Sequence, residues 1–140
     1  MKAWYGYGTE HSMNLVMIGR FEDATAAEKT HKVIQALITA LTEERDAGRL
    51  AVGKPSDRFS DEVLRLLVEL EVHSLEPREL EHFLYDFTLG REDNSVVMTT
   101  DEIEVQALLK VLLTKGARVE VYSAHDHPGT GHGRPTRKQS

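Results

Sequence analysis

A bounded helix followed by an alternating strand closes this chain, and that pair leaves few architectures open to it. Thr99-Thr100-Asp101-Glu102 has the spacing of a capping box, in which the first hydroxyl accepts from the N–H three residues on while the glutamate reaches back. Val105, Leu108, Leu109 and Leu112 then recur at helical spacing, and Gly116 supplies a left-handed stop. Arg118 to Tyr122 alternates with a period of two, as a strand with one buried face does. A closing unit of this kind predicts a compact α+β or α/β domain and carries no catalytic fingerprint.

The rest of the chain supplies partners for that unit. Met13 to Phe21 reads as a strand, with Leu15, Met17, Gly19 and Phe21 on one face and Val16 and Ile18 on the other. Both faces are apolar, which predicts a central strand. Asp23 is placed to cap a long helix over about 24–46, whose inward stripe is Val33, Ile34, Leu37, Ile38 and Leu41 and whose far end is closed by Gly48. A polar loop follows from Arg49 to Phe59, and Ser60 caps a second helix with Val63, Leu66, Leu67 and Leu70 inward. Glu76-Pro77 begins a third helical stretch, with Leu80, Phe83, Leu84 and Phe87 at helical spacing.

Two readings of Tyr85 to Thr100 are open. Tyr85, Phe87 and Leu89 alternate like a strand, and Arg91-Glu92-Asp93-Asn94 suits a hairpin turn into Ser95-Val96-Val97-Met98-Thr99. The element order is then β-α-(αα)-β-β-α-β, a ferredoxin-like split βαβ two-layer α+β sandwich with a helical insertion at about 49–80, and this is the preferred expectation. If Phe83 to Leu89 stays helical, a three-stranded α/β domain with four helices results. Either way one domain is expected over 1–127, followed by a flexible Gly- and Pro-containing basic tail over 128–140.

Composition narrows the function classes. With no cysteine among 140 residues there is no disulfide, no thiolate metal site and no cysteine nucleophile. No apolar run approaches the roughly 18 residues of a membrane span, and Gly6, Gly8 and Glu10 interrupt anything like a signal peptide, so cytoplasmic residence is expected. The net charge of −6 is uneven: Phe59 to Glu104 holds thirteen acidic and three basic residues, a local balance of −10. Such a body repels phosphate backbones, which makes nucleic acid an unfavourable partner. It suits a solubilising surface or a docking face for a basic protein, with Glu69, Glu71, Glu76 and Glu79 as the partner-facing residues. An uncovered sheet edge or face also makes a homodimer a possible partner state.

The topology adds one site to test. In a split βαβ sheet the first strand runs antiparallel between the third and fourth, so His11 is expected beside His125, Asp126 and His127 at one rim. Imidazoles and carboxylates together suit a divalent metal with an open position for water, and a metal-binding protein, with hydrolysis as the activity such a site allows, is the alternative function. The competing reading of the same residues is a hydrogen-bonded turn at the sheet edge. His31, His73 and His82 are expected at helix flanks, in a break and on the polar side of the third helix, in structural or solvated roles. Trp4 and Tyr7 are able to stack on a planar ligand, although packing is the more frequent role of such residues. Gly6-Tyr7-Gly8 leads into a strand instead of a helix, so it is no dinucleotide fingerprint, and no phosphate loop or nucleophile elbow occurs. The leading expectation is a non-catalytic interaction or regulatory module without a resident cofactor.

Overall fold

A computed structural model of the protein describes residues 15–54, 57–100 and 105–123. Its elements follow the order β1 (Leu15–Arg20), α1 (Ala24–Asp46), α2 (Asp61–Glu69), a 3₁₀ helix (Pro77–Leu84), β2 (Phe87–Glu92), β3 (Ser95–Thr100), α3 (Gln106–Thr114) and β4 (Arg118–Ser123). The strands form a single antiparallel sheet in the order β2-β3-β1-β4. This is an α+β fold whose strand order is compatible with the split βαβ arrangement, with α2 and the 3₁₀ helix inserted between α1 and β2. Tyr85 to Thr100 resolves as the hairpin, so the three-stranded alternative does not form.

β1 is central because it can bury both faces. It pairs with β3 from Leu15↔Thr100 to Arg20↔Ser95 and with β4 from Leu15↔Ser123 to Arg20↔Arg118. Met17 and Phe21 face the helices and join a core built with Ile34, Leu37 and Leu41 of α1 and Leu108, Val111 and Leu112 of α3. Each such side chain removed from water contributes about 1.5–3 kcal/mol before the cost of ordering it. The 3₁₀ helix wedges between α1 and α3 and inserts Phe83, which is almost wholly buried.

The helix ends follow local chemistry. The Asp23 carboxylate accepts from the N–H of Ala26 at 2.8 Å, and the Ser60 hydroxyl accepts from that of Val63 at 3.2 Å. Gly116, at φ +95°, ends α3 in the left-handed region.

Three local expectations are corrected. Thr99 lies in β3, opposite Val16 and Thr88, and its hydroxyl bonds that of Thr88, so it does not cap α3. The N-cap of α3 is Val105, and Asp101 and Glu102 fall outside the described residues. Phe87 belongs to β2, and the preceding turns are 3₁₀ instead of α, so the spacing of Leu80, Phe83 and Leu84 continues into a strand. His82 is buried, not on a polar face.

Candidate functional site

The register brings four strand ends to one rim of the sheet. Phe87, Thr100, Leu15 and Ser123 lie abreast, so the chain enters β1 and leaves β3 and β4 at the same place. The antiparallel neighbourhood of β1 and β4 is therefore as expected. The expected metal residues His11, His125, Asp126 and His127, and the stacking candidates Trp4 and Tyr7, lie outside the described residues. Among the described residues no group of three or more His, Asp or Glu side chains is arranged to hold a metal ion.

Tyr85, two residues before Phe87 at this rim, lines a cavity of about 510 Å³. The 3₁₀ helix and the start of α3 build most of it, with Glu76, Arg78, Glu81, His82, Tyr85 and Gln106 in its walls. Its geometry begins with the helix entry, where Glu76 and Glu79 form a reciprocal capping box. The Glu79 carboxylate accepts from the Glu76 N–H at 2.8 Å and pairs with the Lys110 ammonium at 2.7 Å, which makes its 93% burial tolerable. One turn on, Glu81 Oε2 accepts from the Tyr85 hydroxyl at 2.8 Å and from the Gly53 N–H at 3.1 Å. The Tyr85 ring stands 5.6 Å from that of His82. His82 is 8% exposed, and its Nδ1 accepts from the Ala107 N–H at 3.4 Å, a side-chain cap on α3, whose N-cap Val105 has no polar side chain.

The acidic insertion divides into engaged and presented groups. Glu69 is exposed at the end of α2, Glu71 is exposed in the turn after it, and Glu76 is exposed at the 3₁₀ N-cap. Glu79 is turned inward and committed to Lys110. α2 itself carries a feature outside the predicted inward stripe. Val63 and Leu67 face the core, whereas Leu64 and Val68, one turn apart, are 44% and 66% exposed. Going round the helix from that pair, the surface passes Asp61 and Arg65 and reaches Glu62 and Glu69. Beside the end of α2 a second cavity of about 410 Å³ has Ala26, Val33 and Leu70 in its walls, together with Lys29, Glu69 and Glu71.

Two further polar groups are structural in their geometry. Glu44 is buried and takes hydrogen bonds from Arg49, whose Nε lies 2.7 Å away, and from the Ser60 hydroxyl. The Arg49 hydrogen bond is the largest influence on its carboxyl and outweighs burial, holding it below the usual carboxylate range. On the sheet face away from the helices, Glu120 accepts from Tyr122 and pairs with Arg20 at 2.9 Å. These contacts lower the Glu120 carboxyl and raise the Tyr122 phenol.

No sequence pattern marks Glu81, Tyr85 or Gln106 as a site, because their convergence depends on the 3₁₀ turn and the hairpin after it. The inward stripe of α2 did mark Leu64 and Val68 as outward by exclusion. No helix among the described residues is long and apolar enough to cross a membrane. No curated protein and no solved structure matches the chain. Residues 1–134 match the model of the family of unknown function DUF6375, and the chain belongs to that family.

Proposed function

We propose that this protein is a non-catalytic interaction module that docks a basic protein segment on α2. The observation that carries this reading is the exposed pair Leu64 and Val68 on a helix that also presents Asp61, Glu62 and Glu69, with Glu71 just beyond. Single exposed hydrophobic residues are ordinary, but two stacked one turn apart form a ridge that costs solvation unless something covers it. Carboxylates beside such a ridge speed encounter with a cationic partner and select against an anionic one. A second copy brings the same carboxylates against themselves, so this face favours a different, basic chain over self-association.

Selection of displayed random peptides against the immobilised protein tests this reading. Enriched peptides are expected to combine Lys or Arg with apolar residues and to lose binding to Leu64→Ser/Val68→Ser. Charge reversal at Glu62 and Glu69 is expected to weaken them further at low salt. Enrichment of acidic peptides, or binding indifferent to all four substitutions, would overturn it.

A second reading has one observation in its favour. Leu15 and Ser123 are paired, so His11 stands four residues before, and His125 two residues after, positions that lie abreast. On this reading those imidazoles, with Asp126 and His127, hold a divalent metal. Elemental analysis after incubation with zinc, then again for His125→Ala/His127→Ala, distinguishes it. Stoichiometric metal lost in the variant supports it, and metal-free wild-type protein removes it.

A further inference from the structure

We infer that the cavity at the 3₁₀ helix binds a small α-amino acid or a closely related zwitterion, its ammonium held at Glu81 and Tyr85 and its carboxylate at Arg78. The volume of about 510 Å³ lies within the range of small-molecule sites and is too small for a folded partner. The charges in the walls decide which small molecule fits. Glu79 is neutralised by Lys110, which among the described residues of the walls leaves Glu76 and Glu81 against Arg78. A purely anionic ligand meets two carboxylates, and a purely cationic one leaves Arg78 unanswered. A molecule carrying both signs answers Glu81 and Arg78, while the Glu76 carboxylate is engaged by the backbone in the capping box.

Glu81 is prepared for this role. Its Oε2 is fixed by the Tyr85 hydroxyl and the Gly53 N–H, while its Oε1 has no partner among the described residues. A carboxylate anchored through one oxygen offers the other without further loss of side-chain freedom. The Tyr85 ring supplies a π-face, and an ammonium group near such a face gains from the ring quadrupole as well as from the adjacent charge. Arg78 has no ion pair among the described residues, and its planar fork suits a carboxylate. Gln106, the first residue of α3, adds an amide, and it stands at the positive end of that helix's dipole.

A metal ion is a poorer occupant. The His82 Nδ1 lone pair is directed at Ala107, Glu79 is committed to Lys110, and no metal-holding group occurs among the described residues. The inferred site is independent of the α2 surface, so failure of either leaves the other standing.

Amide NMR spectra of the full chain, titrated to millimolar concentration with each proteinogenic amino acid, test the inference. At least one is expected to give saturable shifts at Gly53, Tyr85 and Gln106. The amine lacking its carboxylate and the acid lacking its amino group are each expected to bind about tenfold more weakly or worse, the loss of one charged hydrogen bond. Glu81→Gln keeps both anchoring hydrogen bonds on its amide oxygen but removes the charge and turns the free acceptor into an N–H donor, so it should abolish the response while leaving the melting temperature in place. Arg78→Gln should weaken it to the level of the bare amine. No shift with any amino acid, equal binding of the bare amine, or an undiminished response in Glu81→Gln would overturn the inference.

Discussion

Glu44 occupies a position where the pattern of α1 asks for a hydrocarbon. Thr30, Ile34, Leu37, Leu41 and Glu44 succeed one another at spacings of three and four and are all buried. The carboxylate is tolerated because Arg49 and Ser60 hydrogen-bond it, and the contact pins the loop leaving α1 to the start of α2. Its folded-state value lies below its unfolded one, so its contribution is complete above the ordinary carboxylate range and is lost as pH falls through the depressed folded value. Glu44→Gln should cost about 1–3 kcal/mol at neutral pH. Urea unfolding should show that gap closing below about pH 4, where the wild-type carboxylate of an unfolded chain is already protonated; a gap independent of pH would refute the charge argument. A pair of glycines makes the steric counterpart. A Cβ at Gly19 would stand 3.0 Å from Leu112 Cδ2 and 3.4 Å from Ala117 Cβ, whereas one at Gly90 meets nothing within 4 Å. Gly19→Val should therefore destabilise by about 1–3 kcal/mol through overpacking. Gly90→Val, in an edge strand with open space, should be neutral or gain up to about 1 kcal/mol by restricting the unfolded chain. Matching urea midpoints for the two variants would show that the contact with Leu112 is not felt.

The β2–β3 hairpin shows how an element can be readable while its detail is not. Arg91-Glu92-Asp93-Asn94 was visible as turn chemistry, and the strands on either side alternate, but Arg91↔Val96 and Glu92↔Ser95 pairing tightens the loop to Asp93 and Asn94. Asn94 fixes it from outside: its side-chain amide donates to the Phe21 carbonyl at 2.8 Å, and its own carbonyl accepts from the Phe21 N–H at 2.8 Å. Asp93 is left at φ +51°, in the left-handed region, at the first loop position, where two-residue hairpins favour glycine. Asp93→Gly should then raise stability by about 0.5–1 kcal/mol by relieving that conformation, with the hairpin bonds to Phe21 retained. A loss of stability on thermal melting would mean that the aspartate side chain holds the turn. The 3₁₀ helix was harder to read for a physical reason. Pro77 and the Glu76–Glu79 box announce a helix start, and Leu80, Phe83 and Leu84 suit both helix types, so only packing between α1 and α3 selects the tighter winding. The burial of His82 follows from that winding, which is why its sequence neighbours suggested the opposite.

At the scale of the whole molecule, the doubly apolar β1 and the alternation of β4 were enough to indicate a central strand with antiparallel neighbours, because only such a strand hides both of its faces. Convergence of side chains from the insertion on one cavity was not legible, since it depends on where α2 and the 3₁₀ helix pack, and no local pattern encodes that. Charge is a property of the same scale. The segment from Phe59 to Glu104, which spans α2, the 3₁₀ helix, β2 and β3, carries a balance of −10. The ion pair Glu79–Lys110 answers one of these carboxylates, but Asp61, Glu62, Glu69, Glu71 and Glu76 are exposed without an ion pair among the described residues. Unfolding moves such charges apart, so their repulsion opposes the folded state and is strongest where screening is weakest. The Debye length falls from about 30 Å at 0.01 M salt to about 8 Å at 0.15 M, which removes most of a repulsion acting over helix-to-helix distances. Exposed pairs such as Arg20–Glu120 lose strength over the same range, but each contributes only about 0–1 kcal/mol. The repulsive sum should win, and the urea midpoint should rise as sodium chloride is raised from 0.01 to 0.15 M (about a fifteenfold change across that screening range). Chloride is the appropriate salt because sulfate strengthens apolar burial on its own account. Glu69→Lys/Glu71→Lys should flatten the dependence, since it removes two of the repelling charges and supplies two attractive ones. A midpoint that falls with chloride would mean that the favourable pairs outweigh the repulsion, and the excess acid would then be an electrostatic asset of the folded state.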